Sequence, residues 1–351
     1  MKIGIFTLRS VKPLHPRVAA FLEYFDEKGW MCDIIPGSMH RIFSRVNWLS
    51  LFFYDRWSVF KNKNKTTDYD LILINDLKLL PLARHAKKNN KTVIYDTIDN
   101  NVALRGYSLL KKIPVAKFFS KRILSHYSNN EKKLASLYCD IVIVNSKALL
   151  NYFNNRAELL YYYSEFERSS VINDSRNRLA FIYLGEFSEE KGAEEILELR
   201  KKMNTELFIF GSCSSDKLRK EIQAQNISHI PRISQMELLL QIEKLMETWF
   251  LAGLSFIKPV HLSYATQEAN KDIDYLALGI PIIGNHRIPT AEKIDAGCGV
   301  FIDNESGLFQ LEKNENFKHS VSDNCKHYYR KNYSKDLFRI RLDGIFSRYM
   351  K

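Results

Sequence analysis

Short apolar runs recur along the first half of the chain at the spacing of buried strands in a parallel sheet. They are Ile3–Phe6, Asp33–Pro36, Leu71–Asn75, Val93–Asp96 and Ile141–Asn145. Helical periodicity separates several of them, and its first instance spaces Val18, Phe21, Leu22 and Phe25 as one helix face that ends before Gly29. Strands that alternate with helices predict βαβ units and an open, doubly wound sheet.

The second half of the chain starts the same pattern again. Its predicted strands are Leu179–Gly185, Leu207–Gly211, Asn226–Pro231, Leu251–Ile257, Pro281–Asn285 and Gly299–Asp303, with a helix at Glu194–Met203. The stretch Glu165–Arg178 is polar and rich in Ser and Asn, which is typical of a linker. The pattern predicts an α/β protein of two Rossmann-like domains, residues 1–170 and 171–330, which face each other across a cleft.

The last segment, Tyr328–Met350, mixes apolar and basic positions and predicts one amphipathic helix. Residues 331–351 of this helix belong to the second domain or cross back to the first. Ligands of open α/β sheets bind outside the carboxyl ends of the strands. We therefore expect the functional residues directly after strands in both halves.

Composition narrows the class of protein. The chain has 351 residues, of which 45% are hydrophobic and 26% charged, which suits two folded cores. It contains neither an apolar run of about 18 residues nor a visible secretory signal, so we expect a cytoplasmic protein. The five cysteines lack metal-ligand spacing, which favours reduced thiols and no metal site.

The most informative stretch is residues 270–284, Asn-Lys-Asp-Ile-Asp-Tyr-Leu-Ala-Leu-Gly-Ile-Pro-Ile-Ile-Gly. It predicts a polar loop that opens a short helix, followed by a Gly-Ile-Pro turn and a buried strand. The positive N-terminus of a helix favours an acid in its first turn, and its backbone N–H groups can hold a diphosphate. Asp274 can accept hydrogen bonds from ribose hydroxyls there. The alternative is a capped helix with no ligand.

This stretch resembles the donor-site signature of glycosyltransferase family 4 and its relatives with the GT-B fold. The resemblance implies that Asp274 takes the place of a glutamate that holds the donor ribose. It also places Lys271 near the donor phosphates or the sugar, and Tyr275 in the donor site. Thr266 stands where many members have a second glutamate. Gly211 matches a strand-Gly turn beneath the nucleotide.

A second stretch, residues 183–192, resembles the family segment in which an arginine and a lysine neutralise the donor diphosphate. Gly185 and Lys191 fit that pattern, but Glu186 stands where the arginine is expected. Arg232 and Lys271 are candidates to replace the missing cation. The alternative for Lys191 is a solvated surface lysine.

The acceptor side matches the family more loosely. Arg17 opens the first helix and is placed to meet a phosphate of donor or acceptor; the alternative is a surface arginine. Ile98 stands where relatives have a histidine that faces the reacting sugar. The resemblance then leaves Asp99, Asp96 or His15 to supply the polar contacts. Asp99 is a candidate general base, with an Asx turn as the alternative.

The net charge of +12 and a pI of about 9.3 favour a phosphate-bearing partner. Residues 40–65 and 104–127 mix Lys and Arg with Trp, Phe and Leu, which suits the surface of an anionic bilayer. The alternative is that the aromatic residues form core and the lysines are solvated. Nucleic acid is the weaker partner class, because no DNA- or RNA-binding motif is visible.

Together these observations predict a retaining, hexosyltransferase-type glycosyltransferase that uses a nucleoside-diphosphate sugar. The expected acceptor is a glycan or a polyprenyl-diphosphate-linked glycan in bacterial surface polysaccharide synthesis, such as capsule or lipopolysaccharide. The resemblance implies no metal cofactor and a peripheral position at the inner face of the cytoplasmic membrane. Two alternatives stay open: an accessory GT-B subunit that has lost catalysis, and a sugar-nucleotide epimerase of the same fold.

Overall fold

The protein is described from a computed structural model that covers residues 1–8, 14–37, 56–100, 102–104, 120–260 and 262–349. The chain divides into two compact units. The first contains the described parts of Met1–Leu160, His261–Ser263 and Arg339–Lys351, and the second contains Tyr161–Val260 and Tyr264–Phe338. The second unit thus begins at Tyr161, ahead of the boundary near residue 170 that the sequence suggested.

The first unit is built on a six-stranded parallel sheet. Its strands are β1 (Lys2–Thr7), β2 (Met31–Pro36), β3 (Leu71–Ile74), β4 (Thr92–Thr97), β5 (Ile141–Val144) and β6 (Glu158–Leu159). The spatial order is β2-β1-β3-β4-β5-β6, so the order reverses between β1 and β3. The five predicted strands are confirmed. Strand β6 was missed because two half-buried residues give no periodic signal.

Helices cover this sheet. They are α1 (Pro16–Glu27), α2 (Arg56–Asn62), α3 (Leu82–Lys88), α4 (Ser120–Tyr138) and α5 (Lys147–Tyr152). Helix α1 buries Val18, Phe21 and Phe25, as its periodicity predicted, and the chain leaves it through Gly29 at φ +69°. A left-handed residue after a helix favours glycine, which carries no Cβ to clash.

The second unit repeats the architecture. Its strands are β7 (Arg178–Leu184), β8 (Glu206–Phe210), β9 (Ser228–Ile230), β10 (Trp249–Ser255), β11 (Ile282–Gly284) and β12 (Gly299–Phe301). All pairs are parallel, and the order is β12-β11-β10-β7-β8-β9. Counted from β7, this is the strand order of a Rossmann fold, with the switch point between β7 and β10. The six predicted strands are confirmed.

The helices of this unit include the predicted one, α6. The first five are α6 (Ala193–Met203), α7 (Asp216–Ala224), α8 (Gln235–Met246), α9 (Leu262–Thr266) and α10 (Asn270–Leu278). They are followed by α11 (Ile288–Lys293), α12 (Glu305–Lys313) and α13 (Glu315–Asn332); a further helix, α14 (Lys335–Tyr349), lies mainly in the first unit.

Two predictions for the connecting segments are wrong. The predicted single helix over Tyr328–Met350 is broken between α13 and α14, because Ser334 accepts a hydrogen bond from the N–H of Leu337 and so starts a new helix. The predicted linker is packed into the second unit. Phe166 is buried there, and the Asn173 side chain bonds the backbone of β10 at Leu251.

No helix of the described ranges is both long and apolar enough to cross a bilayer.

Candidate functional site

Two glycine turns follow the neighbouring strands β7 and β8 of the second unit, and the first of them lies at the switch point. Gly185 follows β7 at φ +111°, and a Cβ at this position would meet no heavy atom of the described residues within 4 Å. Gly211 follows β8 at φ +140°, and its Cβ would fall 2.0 Å from the carbonyl oxygen of Gly185. The two turns therefore pack backbone against backbone. Glycine at both positions leaves open space directly beyond the end of β7.

Lys191 lies in the loop that leads from β7 into α6. Its ammonium pairs with the carboxylate of Glu186 at 3.3 Å, and the Lys191 side chain is 29% exposed. Gly192 then turns the chain at φ +74°, and α6 begins at Ala193 without a side-chain cap. The acid that replaces the expected arginine is thus a direct partner of the remaining cation. In this arrangement a phosphate would compete with Glu186 for Lys191.

Lys271 lies in the first turn of α10, and its side chain is buried, with 9% of the residue exposed. Its ammonium is 4.0 Å from the centre of the Tyr183 ring and has no hydrogen-bond acceptor among the described residues. Burial lowers the pKa of Lys271 to about 7. The neighbouring charge of Asp272 opposes that shift, whereas Lys191 and Arg287 add to it. Tyr183 belongs to β7, so this cation lies at the switch point.

Asp274 lies one turn further along α10 and is half-buried. Its Oδ1 accepts a hydrogen bond of 2.6 Å from the hydroxyl of Ser164. Burial raises the pKa of the Asp274 carboxyl to about 7, and the Ser164 bond acts in the opposite direction. The sequence predicted the carboxylate here, but nothing in it pointed to Ser164.

Asp272 forms a buried polar network that the sequence analysis missed. It is fully buried, and its carboxylate accepts hydrogen bonds from Ser255, from Thr290 at 3.0 Å and from Arg287 at 3.3 Å. Ser255 is the last residue of β10, and Arg287 and Thr290 follow β11, so the network ties α10 to the carboxyl edge of the sheet. Its only sequence signal was an acid in the first turn of a helix, which gave no indication of the partners.

Glu268 is an acid two positions after Thr266, in the loop ahead of α10. It forms a buried ion pair of 2.7 Å with Lys293, whose ammonium also donates to the carbonyl of Pro289 at 2.9 Å. The pair fixes the loop ahead of α10 to α11. Glu268 is therefore committed to the fold.

The remaining predicted donor residues differ in exposure. Tyr275 is fully buried; its hydroxyl accepts from the N–H of Leu184 at 3.0 Å and lies 3.2 Å from the carbonyl of Ile182. The sequence placed Tyr275 among the donor-binding residues. In the structure its hydroxyl bonds the backbone of β7, and its side chain exposes no surface that a ligand could contact. Arg232 is exposed in the turn ahead of α8.

Arg17 and Asp96 form a buried ion pair at the carboxyl edge of the first unit. The side chains are 2% and 0% exposed, and the shortest contact is 2.7 Å. Arg17 also donates to the carbonyl of Leu160 at 2.8 Å, and Asp96 accepts from Asn75 at 2.8 Å. The phosphate contact predicted for Arg17 and the sugar contact predicted for Asp96 would both require this pair to separate.

The other two catalytic candidates are half-buried. His15 is the N-cap of α1, and its Nδ1 accepts from the N–H of Arg17 at 3.2 Å. Asp99 follows β4, and its carbonyl accepts from the hydroxyl of Thr97 at 3.1 Å. The two basic, aromatic stretches, residues 40–65 and 104–127, lie largely outside the described residues, which omit positions 38–55 and 105–119. Within the described part, Phe60 is 63% exposed, and Lys63 lies 4.5 Å from its ring centre.

No group of three potential metal ligands occurs within the part of the chain that the structure describes.

Comparison with known proteins identifies the fold. No family model and no curated sequence matches the chain. Among solved structures, Anabaena HepE in complex with UDP and glucose matches over 99% of both chains, with 13% identity and a TM-score of 0.68. The α,α-trehalose 6-phosphate synthase of Burkholderia multivorans matches over 99% of this chain and 96% of its own, with 9% identity and a TM-score of 0.63. The chain has the GT-B fold.

A third GT-B structure supports that assignment. AviGT4, a glycosyltransferase involved in avilamycin A biosynthesis, matches over 99% of this chain and 97% of its own, with 12% identity and a TM-score of 0.58. The predicted pair of Rossmann-like sheets is therefore confirmed at the level of the fold.

Proposed function

We propose that this GT-B protein is a glycosyltransferase whose second unit binds a nucleoside-diphosphate sugar. The observation that carries the proposal is the buried ammonium of Lys271, which has a ring but no hydrogen-bond acceptor among the described residues. A buried polar group without its bond costs about 1–3 kcal/mol, and more when it is charged. Diphosphate oxygens would supply the missing acceptors at the position where Rossmann folds bind nucleotides.

The neighbouring groups suit the rest of such a ligand. Asp274 presents a half-buried carboxylate for ribose hydroxyls. The N-termini of α6 and α10 lack side-chain caps. Apart from the N–H groups of Ala193 and Asp272, which donate to nearby backbone carbonyls, their first-turn N–H groups are available to phosphate oxygens. Lys191 adds a second cation if it exchanges Glu186 for the ligand. We propose a UDP-linked hexose as the donor, because HepE was crystallised with UDP-glucose.

Calorimetric titration with UDP, GDP and ADP tests the proposal. Lys271→Met should weaken binding of the preferred nucleotide about tenfold to hundredfold, since bonds to charged groups contribute about 1.5–3 kcal/mol. Lys318→Met is the matched control. Lys318 is also a buried lysine near an aromatic ring, Phe250, but it donates to the carbonyl of Asn177, at the start of β7. Equal losses in both variants, or no binding to the wild type, would reject the donor site.

We also propose transfer with retention and without a metal ion. Cations and helix N-termini at the leaving diphosphate would stabilise the charge that develops there. Turnover of a UDP-hexose should then persist in excess EDTA. The anomeric configuration of the product, measured by NMR coupling constants, should match that of the donor. A requirement for Mg²⁺ or an inverted product would contradict this part.

For the acceptor, we propose a glycan on a polyprenyl diphosphate, in the assembly of a bacterial surface polysaccharide. Such an acceptor is presented at the cytoplasmic membrane. The net charge of +12 and the exposed Phe60 among lysines support a peripheral position there. The protein should sediment with phosphatidylglycerol vesicles at low salt and be released by moderate salt. Equal binding to neutral phosphatidylcholine vesicles, or no binding to either, would contradict a charge-driven contact.

Two observations favour a second function, that of a GT-B subunit which binds the nucleotide sugar without transferring it. Glu186 neutralises Lys191, and Ile98 occupies the position of the expected histidine. This alternative predicts nucleotide binding that depends on Lys271 but no hydrolysis or transfer of the sugar. Turnover of a radiolabelled UDP-hexose by purified protein would exclude it.

A further inference from the structure

Ser164 lies at the start of the second unit and is 1% exposed. Its hydroxyl donates to Oδ1 of Asp274 at 2.6 Å and accepts a hydrogen bond from the N–H of Phe166 at 3.1 Å. The Phe166 bond occupies one lone pair of the hydroxyl, so its single proton is directed at the carboxylate. The direction of the Ser164–Asp274 bond is thereby set by the local backbone.

The backbone of Ser164 is itself fixed. Its N–H donates to the hydroxyl of Tyr329 at 3.1 Å, and that hydroxyl lies 3.3 Å from the Ser164 carbonyl and 3.1 Å from a carboxylate oxygen of Glu167. Tyr329 is 2% exposed and belongs to α13. Ser164 therefore reaches Asp274 from a rigid support outside α10.

The surroundings of Asp274 otherwise disfavour its charge. Asp272 lies on the same helix and raises the pKa of the Asp274 carboxyl, in addition to the effect of burial. The phenols of Tyr162, Tyr275 and Tyr329 also lie near enough to Asp274 to interact with it electrostatically. Only Oδ1 of Asp274 is engaged by the described residues, which leaves Oδ2 for a ligand.

We propose that Ser164 is a positioning residue that keeps Asp274 ionised and turned towards the ribose hydroxyls of the donor. The inference rests on the proposed donor site. It adds a residue that holds a carboxylate one methylene shorter than glutamate, and it assigns ribose selectivity to the Ser164–Asp274 bond.

The test compares the binding of UDP and of 2′,3′-dideoxy-UDP by calorimetry between pH 6 and 8.5. If GDP or ADP binds better than UDP, that nucleotide and its dideoxy analogue are compared instead. The ratio of the two dissociation constants reports the ribose contact alone, because both nucleotides carry the same diphosphate. In the wild type the ratio at pH 7 should be about tenfold or more. Ser164→Ala should reduce it to about one at pH 7, and the ratio should rise again towards pH 8.5 as Asp274 ionises.

Ser169→Ala is the matched control. Ser169 lies in the same segment, accepts from the N–H of Val171 at 3.3 Å and donates to the carboxylate of Glu243 at 2.7 Å. Ser169→Ala should leave the ratio of the two dissociation constants unchanged. Ser164→Thr keeps a hydroxyl and should retain most of the wild-type ratio. Carbonyl ¹³C NMR of Asp274 provides a second readout, since Ser164→Ala should raise the pH at which its signal titrates.

The outcomes separate the two claims. If the wild type prefers the ribonucleotide and Ser164→Ala gives the same ratio of dissociation constants at every pH, the role proposed for Ser164 is wrong and the donor site stands. If a folded Ser164→Ala loses both nucleotides equally, Ser164 is structural and the inference fails. If the wild type binds no nucleotide, the inference fails together with the proposed function.

Discussion

Two buried cations occupy the same local position in the two units. Arg17 is the second residue of α1 and Lys271 the second residue of α10, and each side chain lies at the carboxyl edge of its sheet. Arg17 has a carboxylate partner in Asp96, whereas the ammonium of Lys271 has the ring of Tyr183 and no hydrogen-bond acceptor within the described part of the chain. A paired buried charge is part of the fold, and an ammonium without an acceptor suggests a ligand that supplies one.

The largest effect should come from breaking the paired cation. Arg17→Met leaves the carboxylate of Asp96 buried without its partner, so the free energy of unfolding of the first unit should fall by about 3–5 kcal/mol. Urea denaturation measures this loss. The double variant Arg17→Met/Asp96→Leu should recover most of it, because it removes both charges. A loss below about 1 kcal/mol in the single variant would show that the pair is dispensable.

The unpaired cation should behave in the opposite way. Lys271→Met removes a buried charge that has no acceptor among the residues described, so the second unit should be as stable as the wild type or more stable. Nucleotide affinity should fall about tenfold to hundredfold. Denaturation and calorimetry on the same samples measure both quantities. If stability falls as far as in Arg17→Met, Lys271 is a structural residue and the comparison between the units fails.

The pH dependence of binding should distinguish the two ionisable groups of the donor site. Lys271, with a pKa of about 7, carries its charge below that value and loses it as the pH rises. Asp274, also at about 7, is ionised above that value and becomes neutral as the pH falls. Nucleotide affinity should therefore be greatest near pH 7 and decline on both sides. Lys271→Met should remove the alkaline decline, and Asp274→Asn should remove the acidic one.

The smallest effect concerns the ion pair of Lys191 and Glu186, where the proposed donor diphosphate would bind. Glu186→Gln removes the acid that competes for Lys191, and exposed pairs contribute about 0–1 kcal/mol. UDP should bind up to about fivefold more tightly as a result. The matched control is Glu305→Gln, which removes the partner of the exposed Lys202 outside the proposed site. Weaker binding of Glu186→Gln would mean that Glu186 contributes to the site.

The sequence analysis identified the strands and the helix that begins at Asn270 because both are local patterns. An apolar run such as Leu71–Ile74 is visible in four adjacent positions, and the spacing of Lys271, Asp274 and Gly279 lies within one helix and its end. The break at Ser334 was also local, as a helix-capping serine, but the amphipathic pattern on both sides concealed it. Strand β6 was too short for any pattern.

The environment of each charged residue was not visible in the sequence. Arg17 and Tyr275 were predicted to meet a ligand, but the structure places Arg17 on Asp96 and Tyr275 beneath β7. Arginines and tyrosines in helix starts look the same in a sequence whether they contact a ligand or the core. Burial and partners separate the two cases, and both depend on residues elsewhere in the chain.

The sequence alone determined that this protein contains two parallel α/β sheets, because strand and helix periodicities are set by neighbouring residues. It also determined that a lysine and a carboxylate lie in the first turn of the helix that begins at Asn270. Only the tertiary structure decided which charges are satisfied. The partners of Arg17 and Asp274 lie 79 and 110 positions away, and a separation of that size is bridged by sheet topology and packing. Pairing within the core therefore distinguishes the charges that hold the fold from those that remain for a ligand.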